Sequence, residues 1–244
     1  MRDELERKGV SLGFVPTMGA LHPGHTSLIE QSLAENNRTV VSIFVNPTQF
    51  NDPTDLQTYP RPLDHDRALL EDLKVDYLFL PDRDTIYPDD CRFEVTENEV
   101  SKLLCGAHRP GHFDGVLSVV MRLFNIIQPQ RAYFGEKDYQ QYQLIKEMVK
   151  AFFLGVEIRR CPIVRDPDGV ALSSRNALLS ADGRTLAAEF ARILKDGDSP
   201  SAVRTALEAR NIEVEYVEEM FGRRLAAVVI DGVRLIDNVP LVGS

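Results

Sequence analysis

Short apolar runs alternate with amphipathic stretches over the first two thirds of the chain. The apolar runs have the length of single strands and cover residues 11–16, 39–45, 75–81, 131–135 and 156–164. Between them, apolar residues recur with helical spacing over residues 25–36, 64–74, 113–127 and 138–153. Strands that alternate with helices at this spacing predict βαβ units around a parallel sheet.

The pattern changes after the turn RDPDG at residues 165–169. Two helical segments and then three strand-like runs follow, at residues 181–195, 200–210, 213–219, 225–231 and 233–237. This order is typical of a small α+β domain. We therefore expect an α/β protein in which a parallel-sheet domain, residues 1–164, precedes a small α+β C-terminal domain, residues 165–244.

The composition narrows the class of protein. Of the 244 residues 43% are hydrophobic, enough for a large core, yet no run of about 18 apolar residues predicts a membrane span. The net charge of −9 disfavours nucleic-acid binding, which needs a basic face, but allows a local positive pocket. The three cysteines lie far apart, and the charged start MRDELERKG has no apolar signal core. We expect a cytoplasmic protein without disulfides, structural zinc, membrane or nucleic-acid partners.

The first candidate for chemistry is VPTMGALHPGH, residues 15–25, on a predicted strand-to-helix turn. Neither a Walker loop nor a GxGxxG motif occurs in the chain. Amides at a helix N-terminus suit phosphate, and Gly19 and Gly24 would let the backbone approach a ligand. His22 and His25 are three residues apart and would project to one side. They would donate to phosphate, unless they only pack the turn or bind a metal, for which no third ligand stands at a characteristic spacing.

Two further clusters carry cationic side chains. In GEKDYQQ, residues 135–141, Lys137 directly follows a predicted strand, where open α/β sheets place ligand-binding residues. In ALSSRN, residues 171–176, two hydroxyls and a guanidinium would make a phosphate clamp. Each has a plain structural alternative: a solvated charge run that opens a helix for the first, and a helix cap for the second.

Two loops present amide, imidazole and guanidinium groups. Gln49 in SIFVNPTQF, residues 42–50, follows a strand end and an Asn-Pro turn, so its amide could reach a ligand at the sheet edge. Arg109 and His112 lie in HRPGHFDG, residues 108–115, before an apolar helix. They could contact an anion, whereas an ordinary turn and a loop cap would explain the two loops without a ligand.

These motifs together resemble the pantothenate synthetase (pantoate–β-alanine ligase) family of the HIGH-motif nucleotidyltransferase superfamily. The matching blocks follow the family's order over nearly the whole chain and are VPTMGALHPGH, VVSIFVNPTQF, YPR, RPGHFDGV, FGEKDYQQ, ALSSRN and RLIDN. HxGH alone would indicate only the superfamily, whereas its combination with VNPTQF, GEKDYQQ and SSRN is specific. The resemblance implies a Rossmann-like domain of the HIGH nucleotidyltransferase type, a small C-terminal lid domain, and a homodimer formed through the N-terminal domain.

The resemblance also implies a two-step ligation. The carboxylate of pantoate attacks the α-phosphorus of ATP and gives pantoyl adenylate and pyrophosphate. The amine of β-alanine then displaces AMP and forms pantothenate, a precursor of coenzyme A. Because a carboxylic acid is ionised at pH 7, the first step needs alignment and charge neutralisation on the leaving pyrophosphate, not a base. Mg²⁺ is expected on the phosphates, and a closing second domain would protect the adenylate from water.

Individual roles follow from the resemblance. His25, as the usual proton donor, together with His22 and Lys137 would be catalytic. The ATP site would comprise Met18, Gly19, Ala20, Leu21, His22, Pro23, Gly24, His25, Gly135, Glu136, Lys137, Asp138, Val164, Leu172, Ser173, Ser174 and Arg175. Gln49 and Gln141 would bind pantoate, and Gln49 would also lie beside β-alanine. The sequence assigns no metal ligands.

The chain departs from the family's pattern at a few points. It begins later than typical members, and its second domain looks shortened between Glu219 and Leu225. His65 and Cys105 stand where acidic residues are common, and Thr48 occupies a usually apolar position. These departures bear on dimer packing, loop order and domain closure more than on the chemistry, because every carried-over catalytic residue is present.

Three rival interpretations compete with the ligase, the nearest within the same superfamily. Another HIGH-type nucleotidyltransferase would stop after pyrophosphate release, but VNPTQF and YQQ resemble a pantoate site and not a nucleotide acceptor site. A non-catalytic nucleotide-binding relative would be expected to lose HPGH, EKD or SSR first. A metal-dependent hydrolase is the third. The pattern of products from ATP, pantoate and β-alanine separates these interpretations.

Overall fold

The computed structural model describes residues 9–241. The expectation that the chain has no leader rests on its charged opening segment, and residues 1–8 of that segment lie outside the described range. Across residues 9–241, no helix combines the length and the apolar character needed to cross a lipid bilayer.

Five strands form one parallel sheet, as the alternating pattern predicts. They are β1 (Leu12–Thr17), β2 (Arg38–Ile43), β3 (Tyr77–Phe79), β4 (Arg131–Gly135) and β5 (Glu157–Cys161), and they lie in the order β3-β2-β1-β4-β5. Each neighbouring pair is parallel. The order along the chain reverses between β1 and β4, and open α/β sheets form their ligand crevice at such a point.

The predicted long helices of this part of the chain are confirmed to within a few residues. The helices are α1 (Pro23–Glu35), α2 (Pro53–Thr58), α3 (Leu63–Asp72), α4 (Arg83–Ile86), α5 (Cys105–His108), α6 (His112–Ile127) and α7 (Tyr139–Ala151). The short helices α2, α4 and α5 were not predicted, because one turn or a little more is too short to show a helical period. Residues Pro47–Gln49, Val100–Lys102 and Glu136–Asp138 form 3₁₀ turns.

The core of the sheet explains why its strands read as apolar runs. Val15 of β1 pairs with Val41 of β2, and Tyr133 of β4 and Ile29 of α1 are, like them, fully buried. Helices cover both faces of a parallel sheet, so the side chains on both sides of a central strand are buried. Such a strand therefore carries consecutive apolar residues.

The C-terminal part has its own sheet and core. Helices α8 (Ala181–Asp196) and α9 (Pro200–Glu208) precede the antiparallel strands β6 (Glu213–Met220), β7 (Arg223–Ile230) and β8 (Val233–Pro240). Leu194, Leu207 and Val228 are buried in one apolar cluster there. Together with the parallel sheet, this confirms the expected fold class: a Rossmann-like α/β part followed by a small α+β part.

The chain divides into two compact units. The first comprises residues up to Glu136 and Gln140–Cys161, and the second comprises Lys137–Tyr139 and the chain from Pro162 onward. The division after Cys161 falls a few residues before the predicted boundary at residue 165, at the point where β5 ends and a proline without an amide hydrogen follows. Within the second unit, Asn238 donates from Nδ2 to the carbonyl of Lys137 at 3.0 Å.

Candidate active site

The HPGH segment forms the turn from β1 into α1, as predicted. Pro23 is the first residue of α1, and His22 caps the helix because its Nδ1 accepts from the Gly24 amide at 3.1 Å. The ring centres of His22 and His25 lie 4.1 Å apart, so both imidazoles project to the same side of the turn. Since Nδ1 of His22 accepts a hydrogen bond, the proton of the neutral ring lies on Nε2.

The backbone amides of this loop already have partners within the protein. The amides of His25 and Thr26 donate to the carbonyl of His22 at 2.8 and 3.1 Å. Those of Ala20 and Leu21 donate to Asp66, both at 2.8 Å. These four amides therefore have acceptors within the protein, and their expected contact with a phosphate stays a prediction.

Asp66 binds the loop from outside it, and the sequence did not predict this contact. Its side chain, on α3, is only 1% exposed, and its two carboxylate oxygens accept the amides of Ala20 and Leu21. Ala20 has a φ of 49°, and Gly19 has a φ of 81°, where a Cβ would also lie 3.0 Å from Asp66 Oδ2. The carboxylate thus anchors a backbone conformation that L-residues adopt at a cost. The only sequence signal was an acidic residue in the first turn of a helix.

Gln49 lies beside the loop that follows β1. It ends the 3₁₀ turn after β2, and its Nε2 donates to Met18 Sδ at 3.3 Å. Its Oε1 accepts from Nδ2 of Asn46 at 3.1 Å. Because β1 and β2 are parallel neighbours, their carboxyl ends meet at one edge of the sheet, and two residues 31 positions apart come into contact.

Arg109 and His112 hold the backbone of Gln49. His112 Nδ1 lies 2.8 Å and Arg109 NH2 3.2 Å from the Gln49 carbonyl oxygen. Arg109 NH1 also lies 3.1 Å from His112 Nε2. A guanidinium only donates and a carbonyl only accepts, so Nε2 accepts and Nδ1 carries the proton. Of the two interpretations of this loop, the structure supports the structural one, with Gln49 as the group that is held.

The predicted residues of the GEKDYQQ segment start at the carboxyl end of β4. Gly135 is the last residue of β4. Glu136 forms an ion pair with Arg160, whose Nε lies 3.0 Å from Oε1 of Glu136. Lys137 Nζ lies 3.8 Å from Asp138 Oδ2. Gln141, in the first turn of α7, is half-buried.

The SSR segment forms a cap in the second unit. Ser173 caps a 3₁₀ turn, Ser174–Leu178, and its Oγ accepts from the Arg175 amide at 3.3 Å. The amide of Leu172 donates to the carbonyl of Val164 at 3.0 Å, which brings these two predicted residues together. Ser173 therefore caps this turn, as the capping interpretation predicts, and ATP binding by Ser173, Ser174 and Arg175 stays a prediction.

The predicted site residues are divided between the two units. The first unit contains Met18, Gly19, Ala20, Leu21, His22, Pro23, Gly24, His25, Gln49, Gly135, Glu136 and Gln141, and the second contains Lys137, Asp138, Val164, Leu172, Ser173, Ser174 and Arg175. Among residues 9–241, no three His, Cys, Asp or Glu side chains are grouped so that they could hold a metal ion.

The fold and the loop together define a class: a Rossmann-like α/β protein with an HxGH turn between its first strand and first helix, beside the point where the strand order reverses. Within that class the chain belongs to the pantoate-beta-alanine ligase family, whose model matches residues 1–240.

Named relatives and solved structures agree with this family. The chain is 53% identical to a pantothenate synthetase of Legionella pneumophila, covering 94% of this chain and 91% of that protein. It is 51% identical to one of Bdellovibrio bacteriovorus, with 95% and 92% covered. A pantoate-beta-alanine ligase of Francisella tularensis, complexed with beta-gamma ATP and beta-alanine, matches with a TM-score of 0.91 at 44% identity over 96% of this chain and 90% of that one. The pantothenate synthetase of Thermus thermophilus matches with a TM-score of 0.88 at 42% identity, over 94% and 93%.

Proposed function

We propose that the chain ligates pantoate and β-alanine to pantothenate at the expense of ATP. Pantoate first reacts with ATP to form pantoyl adenylate and pyrophosphate, and β-alanine then releases AMP from the adenylate. The observation that carries the proposal is the contact between Gln49 and Met18. It places Gln49, the residue expected to bind pantoate, next to the loop that leads from β1 into the HPGH turn, at one edge of the sheet. The family match over residues 1–240 supports it.

The position of the HPGH turn supports a nucleotide site. The turn follows β1 and Gly135 ends β4, and these are the neighbouring strands between which the strand order reverses. A nucleotide in that crevice would meet His22 and His25, whose rings lie on one side of the turn. These imidazoles neutralise the charge that builds up on the leaving pyrophosphate, and Lys137 keeps the catalytic role that the resemblance implies. The SSR segment and the other ATP-binding residues inferred from the sequence remain part of the same proposal.

Gln49 and Gln141 bind pantoate in this proposal, and Gln49 also lies beside β-alanine. Neutral amides suit the hydroxyl groups and the carboxylate of pantoate, because they offer hydrogen bonds without a charge that must be desolvated. The carboxylate is already ionised at pH 7, so the chain has to hold it in line with the α-phosphorus and does not have to deprotonate it.

Mg²⁺, assembly and location complete the proposal. Mg²⁺ binds readily to substrate phosphates and keeps several waters, so it would accompany ATP and neutralise part of its charge.

We also propose a cytoplasmic homodimer formed through the first unit. Light scattering that gives the 27.5 kDa monomer mass at micromolar concentration would contradict the dimer.

The product pattern tests the function. Purified protein with ATP and Mg²⁺ should release pyrophosphate only when pantoate is present, and should release AMP and pantothenate only when β-alanine is also present. Pyrophosphate release with a nucleotide or a sugar phosphate, and none with pantoate, would assign the chain to the rival nucleotidyltransferases. ATP binding without any product would indicate a non-catalytic relative.

A further inference from the structure

A buried polar network lies directly behind Gln49. At its centre is Asn46, which is 1% exposed and follows β2. Its Oδ1 accepts from the hydroxyl of Tyr87 at 2.7 Å and from that of Thr48 at 3.0 Å. Its Nδ2 donates to the carbonyl of Gly115 and to Oε1 of Gln49, both at 3.1 Å. Every polar atom of the Asn46 side chain therefore has a partner.

The orientation of the Asn46 amide follows from the chemistry of these partners. A backbone carbonyl can only accept, so the atom that faces the Gly115 oxygen must be the nitrogen. The two hydroxyls can donate and therefore face the oxygen. Turning the amide over would place Oδ1 against the Gly115 carbonyl and Nδ2 against two hydroxyls, leaving the first contact without a hydrogen.

The orientation of Gln49 follows from that of Asn46. Because Nδ2 of Asn46 donates, the atom of Gln49 that faces it must be Oε1. The Nε2 group of Gln49 then lies on the other side, next to Met18 Sδ at 3.3 Å. Gln49 therefore presents N–H groups, not a carbonyl oxygen, toward the HPGH turn.

Tyr87 stabilises this arrangement from within the first unit. It is 2% exposed, and burial raises the pKa of its hydroxyl, so the group stays protonated and remains a donor. The guanidinium of Arg122 lies 4.8 Å from the centre of the Tyr87 ring and is itself bonded to Asp89. The ring is thus held in place, and its hydroxyl points at Asn46 Oδ1. Neither Tyr87 nor the hydroxyl of Thr48 has a role in the chemistry derived above.

We propose that Tyr87 and Thr48 are positioning residues: through Asn46 they orient the Gln49 amide, so that it donates a hydrogen bond to an acceptor oxygen of the acid substrate. This inference rests on the proposed function. It gives the hydroxyl of Thr48 a use, as a second donor to Asn46 Oδ1. It also sets a specificity rule, because an acid with a donor group at that place would meet an N–H and not an oxygen.

Three variants test the proposal. Tyr87→Phe removes one donor to Asn46, and Gln49→Glu replaces the presented NH₂ by an oxygen. Tyr133→Phe is the matched control, because Tyr133 is also fully buried in the first unit and its hydroxyl contacts Asn36 Nδ2 at 2.6 Å and Glu35 Oε2 at 3.0 Å, away from Gln49. For each variant and the wild type, KM for pantoate, KM for ATP, the kcat of pyrophosphate release and the Tm are measured.

The proposal predicts a selective effect on pantoate. Tyr87→Phe should raise KM for pantoate about five- to tenfold, the effect of losing one hydrogen bond, and leave KM for ATP within about twofold. Tyr87→Phe and Tyr133→Phe should lower the Tm by similar amounts, because each loses the hydrogen bonds of one tyrosine hydroxyl, but Tyr133→Phe should leave both KM values unchanged. Gln49→Glu should raise KM for pantoate at least about a hundredfold, because an anion would face the acceptor oxygen of the acid.

Two results would overturn the inference while leaving the proposed function intact. One is a Tyr87→Phe variant that resembles Tyr133→Phe, with a lower Tm and a normal KM for pantoate. The other is a Gln49→Glu variant with near-normal KM for pantoate, which would mean that Gln49 presents an oxygen. If the wild type releases no pyrophosphate with pantoate, the proposed function is wrong and this inference is overturned together with it.

Discussion

Replacing Asp66 by asparagine tests how the HPGH turn is held in place. Asp66→Asn keeps the size and shape of the side chain but removes its charge and one of its two acceptors. In the native chain, both oxygens accept backbone amides at 2.8 Å, and the carboxylate is 1% exposed. The new NH₂ group must therefore face the amide of Ala20 or that of Leu21, and one of these amides loses its acceptor.

The size of the effect follows from those two hydrogen bonds. Hydrogen bonds to charged groups contribute about 1.5–3 kcal/mol each, and a buried donor left without an acceptor costs about 1–3 kcal/mol. Because asparagine retains one acceptor, we expect the free energy of unfolding to fall by about 2–4 kcal/mol. For a chain of this length, that corresponds to a decrease in Tm of roughly 5–15 °C.

The variant should also lose activity. Ala20 has a φ of 49°, a conformation that the carboxylate stabilises, so the turn that places His22 and His25 should relax when the anchor weakens. A displacement of about 1 Å at reacting groups lowers a rate by up to about a hundredfold. We therefore expect slower pyrophosphate release in single-turnover measurements at saturating ATP and pantoate.

Asp64→Asn is the matched control, because Asp64 lies in the same first turn of α3 but is exposed. It removes the same charge and should change the free energy of unfolding by no more than about 0.5 kcal/mol. The explanation would be refuted if Asp66→Asn melted within a few degrees of the wild type and released pyrophosphate at the normal rate. It would also be refuted if both variants behaved alike, since the charge and not the anchor would then matter.

Three further predictions concern other parts of the first unit. His25→Ala should slow adenylate formation by about 10²–10³ with an unchanged Tm, and a destabilised but fully active variant would contradict its catalytic role. Gly115→Ala should lower the free energy of unfolding by about 1–3 kcal/mol, because its Cβ would lie 2.6 Å from the backbone of the Pro47–Gln49 turn; an unchanged Tm would contradict this. Arg122 holds the pKa of Asp89 below the ordinary 3.8, so the unfolded chain takes up that proton first as the pH falls. Stability from this pair is present above about pH 4 and lost below it, and Asp89→Asn should flatten that part of the stability–pH curve.

The sequence predicted the elements of both sheets because their patterns are local. An apolar run such as residues 39–45 and a helical repeat such as residues 113–127 can be recognised without knowing what they pack against. The structure contains a strand at Arg38–Ile43 and a helix at His112–Ile127 at these places. Short helices such as Arg83–Ile86 escaped prediction because one turn shows no period.

The candidate site was predictable only as a list of residues. HPGH and Gln49 could be identified from their motifs, and the resemblance to a ligase family supplied their roles. Their partners could not be identified, since Asn46 looked like a turn residue and Asp66 like an ordinary helix-opening acid. The sequence also left Arg109 and His112 between two interpretations, and the structure shows both side chains at the carbonyl of Gln49.

The sequence by itself thus determined which segments are strands and helices, and which side chains are available for chemistry. Only the tertiary structure decided which groups are in contact. Asp66 lies 46 positions from Ala20, and Gly115 lies 69 positions from Asn46. Such contacts depend on the order of the strands and on how helices pack across them, whereas hydrophobic periodicity records only whether a residue faces the core. For that reason the sequence did not show that the amides of Ala20 and Leu21, just before the HPGH turn, donate to a carboxylate more than 40 positions away.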